Sequence, residues 1–321
     1  MKNDGLTSCP VCLSKGVRVF LSRNRVPVHQ NLLMSSQAAA INTVRGDMDL
    51  CFCSSCGFIY NKLFDPTLLS YGAEYDNTQI CSPLFYKYTH DLVQQLIVDC
   101  GIKNQRIIEV GCGKGHFLKE LCSSDDIGNR GIGFDPSYIG PEESLGGSVH
   151  FEKRFYSQNC SEIPADVVVC RHVIEHVQSP LSLLCTIRRA LVNSPHARVF
   201  FETPCVKWIL KNQVLWDFFY EHCSYFTAES LTTAFESSGF RVEKIQHVFE
   251  GQYLWLEASI STEKPVITKN PDSIPHMAEQ FAASESNLKR NWKSKIKKLA
   301  TKGKVAIWGG GCERSDVCKS H

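Results

Sequence analysis

No run of this 321-residue chain reaches the roughly 18 apolar residues that a membrane-spanning helix needs, so no membrane partner is expected. It also lacks any block of about five or six like charges. Its 35 basic residues oppose 33 acidic ones, a net charge of +2. Nucleic acid, whose phosphates call for clustered cations, is therefore not an expected partner. Residues 1–13 are polar and already contain Cys9 and Cys12, so they lack the apolar core of a secretory signal. The expected compartment is the reducing cytoplasm, where paired thiols bind metal more often than they form disulfides.

What the chain does have is 16 cysteines and a 43% hydrophobic content, enough for at least one large core. Cys9 and Cys12, then Cys53 and Cys56, form two CxxC pairs, with Gly57 directly after the second. Each pair belongs at a turn, and the two-residue spacing lets both sulfurs converge on one ion. Four thiolates would complete a tetrahedral zinc site with no open position, which makes its expected role structural. Cys51 is a spare thiol, since only Cys53 has the required spacing to Cys56.

Residues 1–72, with strand-like and turn-like sequence and no long helical period, read as this zinc-stapled module. A second unit, 73–262, opens with a helix over 84 to about 100, in which Leu84, Phe85, Tyr88, Leu92, Val93, Leu96 and Ile97 recur at helical spacing. Strands are expected at 106–110, 131–134, 166–170 and 198–202, alternating with helices at 115–122 and 180–192, the pattern of a doubly wound parallel sheet. A helix at 228–238 and strands at 240–249 and 252–261 complete the unit, the last two suited to an antiparallel pair at one sheet edge. The final unit, 263–321, reads as a proline-bearing linker, a basic helix at about 277–302, and a strand entering Gly309, Gly310 and Gly311.

Chemistry concentrates in two places. The segment IIEVGCGKGHF places Gly111, Gly113 and Gly115 between a buried strand and a helix start, so the backbone can approach a ligand closely. Asp135 ends the next strand, where a carboxylate can hold ribose hydroxyls. Nicotinamide sites use similar glycines, but Glu109 just before the turn suits a cationic cofactor such as a sulfonium bearing an α-amino group. The second place is WDFFYEHCSYF, where Glu221 and His222 sit among aromatics, together with His176 at the end of VIEHV. A histidine beside a carboxylate in an aromatic segment can act as a general base. Equally, His222 can be a core histidine and His176 a helix cap.

The glycine motif resembles the first motif, E/D-x-G-x-G-x-G, of the class I S-adenosylmethionine-dependent methyltransferases, and DVVVCRHVIEHV echoes a later strand of their sheet. That resemblance implies a cofactor pocket lined by Glu109, Gly111, Gly113, Asp135, and Arg171 or His172, with Phe155 near the adenine. Together with the zinc module, VPVHQN, YEHCSYF and the terminal VAIWGGG, the chain resembles the zinc-containing C-methyltransferases of nucleotide-linked keto-sugars. The implied fold is α/β: a Rossmann-like class I sheet with an N-terminal zinc-binding module and an incomplete C-terminal Rossmann-like half. The implied reaction is proton removal beside a ketone, with His222 as base, Glu221 its orienting partner, and His176 with Tyr75 or Tyr220 on the substrate side. Two features depart from that family: Phe219 stands where an aromatic hydroxyl is expected, and the sequence stops soon after Gly311. Competing expectations are O- or N-methylation of a small metabolite, or a catalytically silent protein that binds the cofactor or serves zinc-mediated interaction.

Overall fold

A largely exposed strand in which Leu21 is buried, Val17–Pro27 (β1), follows the first cysteine pair. The computed structural model describes residues 8–30, 32, 34–70, 81–123, 126–160, 162–263 and 270–305, so Tyr75 and Gly309 to Gly311 lie outside the described residues. A short helix, Gln37–Ile41 (α1), is started by the Ser36 hydroxyl, which accepts the Ala39 N–H at 3.1 Å. Arg45–Cys53 (β2) then pairs antiparallel with β1, and Ile59–Asn61 (β3) pairs antiparallel with β2 across the turn that carries Cys53 and Cys56.

The second unit begins at Pro83–Val98 (α2), whose buried face includes Phe85, Leu92, Val93, Leu96 and Ile97. Next come Arg106–Val110 (β4), His116–Leu121 (α3), Arg130–Phe134 (β5), Glu143–Ser144 (β6), Val149–Glu152 (β7) and Val167–Arg171 (β8). Pro180–Ala190 (α4), Arg198–Pro204 (β9), Val206–Asn212 (α5), Ser224–Tyr225 (β10), Ala228–Ser237 (α6), Phe240–Val248 (β11) and Tyr253–Ile260 (β12) follow. The last described helix is Ile274–Ala300 (α7).

All of these strands except β10 form one eight-stranded sheet in the order β11-β12-β9-β8-β4-β5-β7-β6. Strands β9, β8, β4, β5 and β7 run parallel, whereas β12 and β11 form the expected antiparallel pair at one edge. Covered on both faces, β8 is apolar for four successive residues, VVVC, as buried parallel strands are. The chain leaves β4 towards β5 on one side and returns to β8 on the other, so a crevice opens at the carboxyl ends of β4 and β8.

Several short elements were not expected from the sequence, among them β7, whose four-residue alternation VHFE is too brief to stand out, and α5, seven residues long. More consequential is β10. It lies within the second unit in sequence, yet pairs with β3 and becomes the fourth strand of the N-terminal sheet. Between these sheets Leu21, Met48, Leu50 and Phe52 share a core with Val206, Ile209, Leu210 and Phe218 and with Ile274 and Phe281 of α7. Residues from the N-terminal, central and C-terminal parts of the sequence thus contribute to one hydrophobic cluster.

Candidate active site and thiolate cluster

Strand β4 carries Glu109 on its buried length and ends at Gly111, whose N–H donates to the Phe134 carbonyl at 2.8 Å. Gly111 has φ +73°, and a Cβ there would fall 2.1 Å from the Val173 side chain, so the turn requires glycine. At Gly113 (φ +54°) an added Cβ would meet no protein atom, because that position opens into a cavity. The Gly113 N–H donates to Asp135 Oδ2 at 2.8 Å, and the Ser137 N–H and hydroxyl donate to Asp135 Oδ1 at 2.7 and 2.6 Å. Burial pushes the Glu109 carboxyl up to about 7, against the opposing pull of Arg171, and its Oε2 has no hydrogen-bond partner among the described residues. A buried acceptor left open beside a cavity fits a cationic ligand group.

The cavity measures about 730 Å³. Glu109, Gly111, Gly113, Asp135, Arg171, His172, His176 and His222 all line it, as does the largely exposed Phe155. Beneath it runs a charge network that sequence reading missed. Arg171 donates to Glu202 at 2.6 Å, Tyr88 donates to the same carboxylate, and His172 lies 3.5 Å from it. Burial opposes the charged form of Glu202, yet Arg171 and His172 hold it down to about 2. The signal for Glu202 was the same as for Glu109: an acid closing an apolar strand, RVFFE.

A single helical turn after β8, Ile174–His176, brings Glu175 and His176 to the cavity wall. Glu175 accepts the Thr203 hydroxyl at 3.0 Å. The His176 and His222 rings lie 4.7 Å apart and nearly perpendicular, and His222 rests on Phe219 at 4.0 Å. Donor atoms of Glu175, His176 and His222 all fall within 4.8 Å of one another, a set of proton-exchanging groups that would also admit a divalent metal ion.

Two expected neighbours stand elsewhere. Glu221, fully buried, accepts His29 Nδ1 at 3.2 Å and the Gln30 N–H at 3.1 Å, so its carboxylate engages the N-terminal unit. The carboxylate in the histidine corner is Glu175, for which the neighbouring His176 was the available signal. Tyr220 does not line the cavity: its ring packs on Phe64 with centroids 5.4 Å apart, and its hydroxyl accepts the Asp65 N–H at 2.9 Å. Bulk decides this, because the phenol fills the space over Gly46, where a Cβ would be 2.3 Å from its ring.

The four CxxC cysteines do come together, all sulfurs within 4.8 Å of each other. Cys9 and Cys56 sulfurs are 3.7 Å apart, and those of Cys12 and Cys53 are 3.5 Å apart. Backbone N–H groups of Val11 and Ser55 point at the sulfurs of Cys9 and Cys53, each at 3.4 Å. Cys51 stays outside, its thiol directed at the Asp49 carbonyl and pushed up to about 12 by burial.

Residues 84–245 match a family described as a methyltransferase domain. Among curated proteins, the chain is 27% identical over 108 residues to a ubiquinone biosynthesis O-methyltransferase of Aliivibrio fischeri, covering 32% of this chain and 45% of that one. A protein of the same description from Pseudoalteromonas translucida is 32% identical over 108 residues, with the same coverage. The chain thus spans under half the length of these relatives. Among solved structures, the N,N-8-amino-8-demethyl-D-riboflavin dimethyltransferase of Streptomyces davawensis is similar at TM-score 0.43 and 19% identity, over 55% of each chain. Among the described residues, no helix is long and apolar enough to cross a membrane.

Proposed function

The chain belongs to the methyltransferase-domain family matched by residues 84–245, and on that premise we propose that it uses S-adenosylmethionine to C-methylate a small activated ketone, such as a nucleotide-linked keto-sugar. One observation carries this reading: the Glu109, Gly113 and Asp135 cradle and the Glu175, His176 and His222 corner line one and the same cavity. When bound, the cofactor supplies an electrophilic methyl group on a sulfonium. Glu109 would hold its α-amino group and Asp135 its ribose, with the backbone at Gly113 leaving room for the ligand. His222 accepts the proton from the carbon beside the ketone on a ring nitrogen, and His176 lies next to it to pass that proton on. The cavity's further task is to hold nucleophile and methyl donor in line.

The spacing of the four thiolates is compatible with a tetrahedral zinc ion. Sulfur atoms 2.3 Å from a tetrahedral zinc stand about 3.8 Å apart, close to the 3.7 and 3.5 Å of the two pairs here. With four protein ligands, the ion would be structural.

Replacing His222 by Asn tests the base. Loss of a positioned general base costs about 10²- to 10⁴-fold in rate, while affinity for S-adenosylmethionine, which is assigned to Glu109 and Asp135, should stay near that of the unaltered chain. Methyl-labelled cofactor supplied with keto-sugar nucleotides gives the rate, and calorimetry the affinity. Undiminished transfer by the variant would remove His222 from the role. The similarity to O-methyltransferases favours a second reading, methylation of a hydroxyl. Carbon NMR of the labelled product separates the two, since methyl on carbon and methyl on oxygen resonate far apart.

A further inference from the structure

His222 sits in a loop held from both sides, and the two holds come from different parts of the chain. After it, the Cys223 N–H donates to the Glu175 carbonyl at 2.9 Å, the Asn61 N–H donates to the Cys223 carbonyl at 2.9 Å, and the Ser224 hydroxyl donates to the Val177 carbonyl at 2.8 Å. Before it stands Glu221, whose carboxylate is fully buried. A buried carboxyl group needs hydrogen-bond partners, and here His29 and Gln30, adjacent residues just beyond β1, both serve it. The Ser70 N–H donates to His29 Nε2 at 3.2 Å, which leaves the ring proton on Nδ1, facing Glu221. The imidazole is thus a fixed spacer between the N-terminal unit and the residue preceding the proposed base.

We propose that His29 is a positioning residue of the acceptor site: through Glu221 it fixes where the His222 ring stands in the cavity. The N-terminal unit then forms part of the active site, supplying β3 behind His222 and the His29 clamp ahead of it. This rests on the reading of His222 given above, but it can be tested without an acceptor. Asparagine can place an amide N–H where Nδ1–H stands. His29→Asn should therefore keep the clamp, and His29→Ala should lose it.

The measurement is nitrogen-15 NMR of histidine-labelled, metal-loaded full chain with S-adenosylhomocysteine bound, the His222 ring signals being those lost in His222→Asn. In His29→Ala these signals should move or broaden, and in His29→Asn they should return to their original positions. Affinity for S-adenosylhomocysteine should stay within about twofold in both, as for sites that do not couple, and metal content should not change. Unmoved His222 signals in His29→Ala would overturn the clamp. So would a parallel loss of S-adenosylhomocysteine affinity or metal, since His29 would then support the fold at large. The two readings fail separately: retained methyl transfer by His222→Asn removes the base, whereas unmoved signals in His29→Ala remove its positioning.

Discussion

A carboxylate inside a parallel sheet raises the free energy of the fold unless a cation reaches it. Glu109 is such a group, and the gap between an ordinary glutamate at 4.5 and about 7 here corresponds to roughly 3 kcal/mol. Because its native value is raised, its favourable contribution is complete below about 4.5 and is lost as pH rises through about 7. At pH 8 the ligand-free Glu109→Gln variant should therefore melt at a higher temperature than the unaltered chain, with little difference at low pH. Cofactor binding should run the other way. Affinity should climb as Glu109 ionises near pH 7 and fall again above about 8, where an α-amino group loses its proton. Calorimetry across pH should show that optimum in the natural chain and no acid limb in Glu109→Gln. Asp135 is a less clean probe of the same site. Its oxygens already accept three hydrogen bonds from Gly113 and Ser137, so removing it would loosen the glycine turn as well as the ribose contact.

Among the elements, the two cysteine turns and the strands they join matter most. The turn between β2 and β3 closes with the Cys53 N–H on the Phe58 carbonyl at 2.8 Å and the Gly57 N–H on the Cys53 carbonyl at 3.0 Å. Gly57 takes φ +74°, which a side chain would strain. Metal analysis of reduced protein should find one zinc per chain. Cys53→Ser should release it, because three thiolates no longer close the tetrahedron, while Cys51→Ala should keep it. Retention of full metal by Cys53→Ser would place the ion elsewhere. The spacing of these cysteines made the cluster readable in advance. The course of β10 was not readable: two residues, Ser224 and Tyr225, carry too little pattern to announce which sheet they join.

Across the whole molecule, three sequence segments share one core, and α7 seals it. Phe281 packs against Phe218 with centroids 5.0 Å apart, and the buried Glu285 accepts from Arg23 of β1, Nη2 to Oε2 at 2.6 Å. Arg23 also donates to the Leu215 carbonyl at 2.8 Å, tying α7, β1 and the loop after α5 together. The chain should therefore unfold in one cooperative transition by calorimetry, and chelating the metal should lower that transition as a whole. Two separated transitions, one of them alone sensitive to the chelator, would contradict it. Phe281→Ala, an aromatic truncation in this shared core, should cost about 3–5 kcal/mol.

Local pattern by itself determined the alternation of strand and helix, the glycine turn with Glu109 and Asp135, and the four cysteines, because each depends on residues close in sequence whose backbone or ligand geometry admits few alternatives. It also singled out His176 and His222, which the fold brings to one corner. Only the tertiary structure decided which carboxylate accompanies them. Glu221 and His222 are adjacent in sequence, but the buried carboxylate takes its donors from His29 and Gln30, leaving the corner to Glu175. Tyr220 was drawn away for the same kind of reason, its ring filling the space over Gly46 in the core between the two sheets. Such choices turn on which distant groups can satisfy a buried charge or fill a volume, and no spacing along the chain encodes them.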